Sequence, residues 1–212
     1  MAMRIGMIGD GNVGTALTNG LTRAGYEVRA VGKEPPKVKE VGQWAEVIVL
    51  AVPFTERENA LRTIGTTEGK IVVDVTNAMT GDMGLAVDPR QESGAEQVQE
   101  WARGARVVKA FNTVFAQNMV TGTVHGETLT ALIAGDDEGA KRKVIEMANA
   151  IGFDPVDAGP LKNARWLETL GLLNITLGYG VGLGPSTGFR YVHEGSSGAS
   201  RRASTDARTE AR

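Results

Sequence analysis

The chain has 212 residues, with 23 Lys+Arg against 25 Asp+Glu, a formal charge of −2 and 42% hydrophobic residues. That length allows one full domain with a small appendage, and the composition suits a globular chain with a sizeable core. It has no cysteine, hence no disulfide, thiol nucleophile or cysteine-ligated metal, and its two histidines, His125 and His193, leave no multi-histidine metal site. The near-neutral charge gives no electrostatic footprint for nucleic acid. Before residue 190 the only serines are Ser93 and Ser186, and neither stands in a G-x-S-x-G elbow.

In chain order, residues 4–8 form an apolar run ending at Gly9, and 12–24 carry Val13, Leu17 and Leu21 at four-residue spacing. The pattern predicts a strand, a glycine turn and a helix. A second strand fits 27–31. The unbroken run Val47-Ile48-Val49-Leu50-Ala51-Val52, stopped by Pro53, reads as a strand covered on both faces. Further strands fit 70–75, 106–111 and 129–134, a short one fits 153–157, and helices fit 55–64, 93–103 and 137–151. Asp136, Asp137 and Glu138 stand at the start of that last helix, where acids suit the positive end of its dipole. Residues 161–179 read as a helix with Leu167, Leu170, Leu173, Asn174 and Leu177 near one stripe, facing either the rest of the fold or a second copy. From Gly180 the composition shifts to Gly, Ser, Ala, Arg and Thr, and 194–212 lack large apolar groups, which predicts a disordered tail. Arg201-Arg202-Ala203-Ser204 has the form of a kinase site, but an unstructured tail is the simpler reading.

Strand–helix alternation predicts an α/β fold, a doubly wound and mostly parallel sheet of the Rossmann type, with a small carboxyl-terminal helical part. The expected division is 1–158 for the nucleotide-binding domain, 159–185 for the helical part and 186–212 for the tail. The start lacks the zones of a secretory signal, and the least polar stretch, 166–183, is interrupted by Glu168, Asn174 and glycines. A cytoplasmic protein without a membrane span is therefore expected.

Gly9-Asp10-Gly11-Asn12-Val13-Gly14 is a G-x-G-x-x-G sequence in the required place, after a strand and opening a helix. Gly9 permits the tight turn, Gly11 lets a pyrophosphate approach, and Gly14 lets helix and strand pack closely. Cofactor choice is set near the end of the second strand, where an NAD enzyme carries an acid. This chain reads Ala30-Val31-Gly32-Lys33-Glu34: a small residue leaves room for a 2′-phosphate and an ammonium supplies its counter-charge, which favours NADP. A two-residue register slip would bring Glu34 into the acid position. The remaining strand ends contribute Ala51, Val52, Pro53, Asn77, Asn112 and Thr113, and either asparagine can orient a nicotinamide amide or merely cap a turn.

Val72-Val73-Asp74-Val75-Thr76-Asn77, Val108-Lys109-Ala110-Phe111-Asn112-Thr113 and the block from Asp157 to Glu168 (Asp-Ala-Gly-Pro-Leu-Lys-Asn-Ala-Arg-Trp-Leu-Glu) together resemble the NADPH-dependent coenzyme F420 reductases. The resemblance implies a Rossmann domain, NADP(H), usually a homodimer, and hydride exchange between the nicotinamide and a deazaflavin, coenzyme F420. It implies that Gly9, Gly11, Asn12 and Val13 hold the pyrophosphate, Gly32 and Lys33 the 2′-phosphate, and Val52 and Pro53 the nicotinamide half, with Asp10 also among the cofactor-binding candidates. Lys109, Asn163 and Arg165 become candidates for the acceptor, although Arg165 also has the spacing for an i,i+3 pair with Glu168 and Lys109 for a solvated sheet edge. Archaeal members tend to carry Ser–Arg at the Gly32–Lys33 positions and a histidine at Asn112. Direct hydride transfer requires no catalytic acid or base, so none is expected. The alternatives are a reductase of a flavin, ferric chelate or imine, and a non-catalytic NADP(H) sensor.

Overall fold

The computed structural model describes residues 3–194. Nine strands run in chain order: β1 Arg4–Ile8, β2 Glu27–Val31, β3 Val47–Leu50, β4 Ile71–Asp74, β5 Arg106–Lys109, β6 Thr123–Val124, β7 Glu127–Thr128, β8 Thr130–Gly135 and β9 Asp154–Asp157. The helices are α1 Asn12–Arg23, α2 Pro35–Trp44, α3 Arg57–Ile64, α4 Gly94–Trp101, α5 Glu138–Ile151 and α6 Ala164–Ile175. Seven strands form one sheet in the order β2-β1-β3-β4-β5-β8-β9, parallel throughout except for the antiparallel β5–β8 pair. β6 and β7 make a separate hairpin.

The period-2 alternation of the strands sorts the core into two layers. Ile5, Met7, Val47, Val49, Ile71, Val73 and Val108 meet Leu17 and Leu21 of α1 and Val144 and Met147 of α5. Ile8, Ile48, Leu50, Val72 and Val107 point the other way, to Val38 and Val41 of α2, Leu61 and Ile64 of α3 and Val98 of α4. Gly6 sits on this second face because a Cβ there would lie 2.9 Å from the Ala45 methyl. A sheet covered on both sides is the doubly wound α/β fold the sequence predicts.

Local chemistry explains several boundaries. Ser93 caps α4 in a capping box with Glu96, and Asp137 caps α5 by accepting from the Ala140 N–H at 2.7 Å. The other two acids of that cluster are also tied up: Asp136 accepts from the Leu161 N–H at 2.9 Å, and Glu138 pairs with Lys141 at 2.9 Å. Helix α2 has no predicted counterpart, since its apolar residues are few and Pro35-Pro36 reads as a break, yet proline is compatible with the first helical turn. The expected helix over 161–179 is split into a 3₁₀ turn Leu161–Asn163, α6 and a π turn Thr176–Gly180. Gly178 in that π turn lies against Phe115, where a Cβ would approach within 2.5 Å of the ring. Residues 186–191, expected in the tail, are held to the fold. Asn118 donates to the Pro185 and Thr187 carbonyls at 3.2 and 3.0 Å, and the Thr130 N–H donates to the Phe189 carbonyl at 3.0 Å. The kinase-like segment 201–204 lies outside the described residues. Among the described residues no helix is long and apolar enough to cross a membrane.

Candidate functional site

The strand order reverses between β1 and β3, and in such sheets ligands lie beyond the carboxyl ends of the strands at that reversal. The glycine turn follows β1 there. Gly9 has φ 114°, and a Cβ on it would lie 2.2 Å from the Ala51 carbonyl oxygen, so only glycine fits. A Cβ on Gly14 would lie 1.9 Å from the Gly9 carbonyl oxygen, which fixes how closely α1 approaches the turn. Gly11 differs: nothing lies within 4 Å of its Cβ position, so this backbone faces open space. Gly11 is also the N-cap of α1, no side chain caps the helix, and its first turn carries no acid. Asn12 is exposed, Val13 half-buried, and the helix start presents its positive pole outward, an arrangement that fits a pyrophosphate.

At the end of β2, Lys33 is exposed and makes no ion pair with any described residue, whereas Glu34 pairs with Lys37 at 2.7 Å at the start of α2. Glu34 is thereby committed locally. Asp10 introduces a detail the sequence does not disclose: its carboxylate lies against Gly32, 2.7 Å from where a Cβ would stand. An acid therefore borders the second-strand pocket after all, contributed by the glycine turn.

From α1 the sheet continues through β3, β4 and β5, whose carboxyl ends carry the other candidates. Ala51 and Val52 are half-buried and Pro53 is exposed. Asn77 is half-buried, while Asn112 and Thr113 are buried behind it. The two asparagines are interlocked: Asn112 Nδ2 donates to Asn77 Oδ1 and Asn77 Nδ2 donates to the Asn112 carbonyl, both at 2.9 Å. Asn112 Nδ2 also donates to the Leu167 carbonyl at 2.8 Å, which uses both its hydrogens and leaves its buried Oδ1 without a donor. Phe111, just before it, is buried with φ 63°, a left-handed conformation that costs about 1–3 kcal/mol in a non-glycine residue. Strain at Phe111 and the orphaned acceptor of Asn112 fall at adjacent positions of this turn.

The candidates for an acceptor are placed differently from the expectation. Lys109 is neither on a solvated edge nor open to a ligand: it is 0% exposed. Its ammonium lies 2.9 Å from Asp74 Oδ2 and 2.8 Å from Glu168 Oε1, and donates to the Thr76 carbonyl at 2.6 Å. All three ammonium hydrogens are thus used. Burial alone would raise the Asp74 pKa, but the charges of Lys109 and Arg57, with hydrogen bonds from Lys109 and Thr76, outweigh it and hold the carboxyl below its ordinary value. Burial alone would lower the Lys109 pKa, and Asp74 and Glu168 reverse that shift, so the ammonium is retained. Arg57, 1% exposed, lies over the Phe54 ring at 3.6 Å and donates to the Gly94 carbonyl at 2.6 Å.

Arg165 forms no i,i+3 pair with Glu168. It makes a two-pronged pair with Glu96, Nε to Oε2 at 2.8 Å and Nη2 to Oε1 at 2.7 Å. Glu168 turns inward instead, where it accepts from the Gly94 and Ala95 N–H groups at 2.9 and 3.1 Å, the open start of α4. Asn163 donates to the Ala158 carbonyl at 2.6 Å and so shapes the turn before α6. Lys109 ties α6 to the sheet through Glu168, Arg165 ties it to α4 through Glu96, and Asn163 acts locally. Sequence reading missed Asp74 and Glu168 as the partners of Lys109. The signal was a single charge in each of three apolar settings, Val73-Asp74-Val75, Val108-Lys109-Ala110 and Leu167-Glu168 in a leucine stripe.

Among the described residues no group of His, Asp or Glu is arranged to hold a metal. A cavity of about 240 Å³ opens at the opposite, amino ends of the strands, lined by Arg4, Glu46, Glu68, Lys70, Arg106 and Lys143. Its mixed charges stand away from the glycine turn and take no part in the site.

The geometry agrees with the chain's relatives. The profile of the family described as NADP oxidoreductase, coenzyme F420-dependent, matches residues 4–43 and 34–78. The two matches together span residues 4–78. The crystal structure of a candidate F420-dependent NADP reductase from Arthrobacter sp. FB24 superposes with a TM-score of 0.82 at 26% identity, covering 91% of this chain and 100% of that one. The F420-dependent NADP reductase of Methanocaldococcus jannaschii is 28% identical over 74% of this chain and 71% of its own. The rat metalloreductase STEAP3 is 34% identical over 81% of this chain, which spans only 37% of that relative's length.

Proposed function

We propose that the chain is an NADPH-dependent oxidoreductase that transfers a hydride between the nicotinamide and a deazaflavin, coenzyme F420, stacked upon it. The observation that carries the reading is the uncapped start of α1, with Gly11 facing open space, beside an exposed and unpaired Lys33. An uncompensated helix pole next to a free ammonium suits a pyrophosphate and a 2′-phosphate respectively. NADPH, when bound, supplies the hydride from C4 of its nicotinamide.

The chain's own residues bind and orient. Gly9, Gly11, Asn12 and Val13 would hold the pyrophosphate, and Lys33 beside Gly32 the 2′-phosphate. With the pyrophosphate over α1 and the adenosine over β2, the nicotinamide half extends over β3 and β4, toward Ala51, Val52, Pro53 and Asn77. Asn77 retains one unused N–H among the described contacts and is half-buried, so it can meet a carboxamide, with Asn112 and Thr113 behind it. Direct hydride transfer requires no acid or base from these strand ends. Residues 1–158 act in this reading as the nucleotide-binding unit and 159–185 as its helical cover. A cytoplasmic homodimer is part of the reading, and exposed Trp166, Leu173 and Tyr179 offer apolar surface for it.

A second reading, favoured by the match to a metalloreductase, is reduction of a flavin or a ferric chelate. Stopped-flow mixing of the purified protein with NADPH and oxidised F420 separates the two. Protein-dependent bleaching of the deazaflavin absorbance supports the first reading. Bleaching of added flavin, with F420 unchanged, supports the second. NADPH binding without turnover of either supports the sensor alternative.

A further inference from the structure

We propose that Glu168 and Gly171 are positioning residues for the nicotinamide half of the site: through them α6 sets the Asn77–Asn112 pair. The inference rests on the nucleotide reading above and adds to it the device that fixes the carboxamide contact. Helix α6 lies after the whole sheet in sequence, yet its inner face carries Ala164, Leu167, Glu168, Gly171 and Asn174, all buried. Three of these five are not hydrophobic, which is unusual for a face that only packs.

Each of the three has a specific target at the carboxyl ends of β4 and β5. Glu168 meets Lys109, which in turn holds Asp74 and the Thr76 carbonyl, one residue before Asn77. Asn174 Nδ2 donates to the Thr113 carbonyl at 3.0 Å, one residue after Asn112. Between them Gly171 sits directly on the pair: a Cβ there would lie 2.4 Å from Asn77 Oδ1 and 2.8 Å from Asn112 Nδ2. Alanine is the better helix former, so glycine at this position is explained by the close approach and not by the helix.

The contacts also fix which way the amides point. The Leu167 carbonyl is an acceptor, so it takes Asn112 Nδ2 and forces Oδ1 to the side where no donor stands. Asn112 Nδ2 then requires Asn77 to present its oxygen inward, and Asn77 Nδ2 bonds the Asn112 carbonyl. The free N–H of Asn77 therefore has its direction set by a helix that contributes no atom to the glycine turn. A shift of α6 turns the pair without disturbing the pyrophosphate or 2′-phosphate contacts.

The test compares two ligands by calorimetry: NADP⁺, and 2′-phospho-ADP-ribose, which keeps both phosphate sites and lacks the nicotinamide. Wild-type protein is expected to bind NADP⁺ the more tightly. Gly171→Ala is expected to lose about tenfold in NADP⁺ affinity, the contribution of about one hydrogen bond, with affinity for the fragment unchanged. Glu168→Gln, acting through a different contact, is expected to give the same selective loss. Should circular dichroism show that Glu168→Gln does not fold, Gly171→Ala decides alone. Equal losses for both ligands, or none for either, overturn the inference. Equal affinity of the wild type for both ligands also overturns it and leaves the nucleotide reading intact, whereas a wild type that binds neither overturns that reading itself.

Discussion

Replacing Lys109 with methionine tests the buried charge network most directly. Methionine preserves much of the stem volume and removes an ammonium that is 0% exposed. The loss strips Asp74, Glu168 and the Thr76 carbonyl of their shared donor, at 2.9, 2.8 and 2.6 Å. Two carboxylates are then buried with Arg57 as the remaining nearby cation, and that guanidinium is occupied by the Phe54 and Gly94 carbonyls and by Gln97. Removing one partner of a buried ion pair typically costs about 3–5 kcal/mol. For a chain of this size that corresponds to a melting temperature lower by roughly 6–20 °C. Urea unfolding is the assay, with an m-value near that of the wild type as the check that the two states compared are unchanged. The triple variant Asp74→Asn/Lys109→Met/Glu168→Gln is expected to recover part of the loss, because it leaves no buried carboxylate stripped of its Lys109 partner. A single-variant loss below about 1 kcal/mol would falsify the enclosed geometry, since it would mean that water already reaches the carboxylates.

Lys33→Ala raises the Michaelis constant for NADPH far more than that for NADH, the loss of a phosphate-pairing charge being about 1.5–3 kcal/mol; equal effects on both cofactors refute its 2′-phosphate role. Asp10→Asn acts oppositely and improves NADPH affinity, measurable by fluorescence titration, because it removes a carboxylate lying against Gly32. Gly14→Ala abolishes nucleotide binding, since its Cβ would meet the Gly9 carbonyl oxygen at 1.9 Å; retained binding shows that the turn can rearrange. Thermal stability should have two pH limbs. Asp74, held below 3.8, stabilises the fold above that value and loses its contribution as pH falls through the depressed value. Lys109, held above 10.5, contributes fully below that value and is lost as pH rises through the raised one. Asp74→Asn should flatten the acid limb in melts taken from neutral pH down to about pH 2, and an unchanged limb excludes Asp74 as its source.

Much of the fold was legible locally. The apolar runs gave the strands of the large sheet, because a strand buried on both faces must be continuously hydrophobic. The glycine turn announced its role through spacing that a dinucleotide-binding strand–helix junction requires. Helix α2 was not legible, because two prolines and few apolar residues conceal a short helix that packing completes.

The site divides in the same way. Elements contiguous in the chain could be read from residue order: the turn at Gly9–Gly14, the Gly32–Lys33 pair after β2, and the asparagines at the ends of their strand runs. Pairings between distant segments exist only once the chain is folded. Lys109 meets Glu168 across 59 positions, and Arg165 meets Glu96 across 69, because α6 returns over the carboxyl ends of β4 and β5. Spacing along a helix favours partners three or four residues away, which is why Arg165 and Glu168 read as a pair. Burial overrules that preference: an ionised carboxylate inside the fold must find a cation and two N–H donors, and Lys109 with the start of α4 offers them.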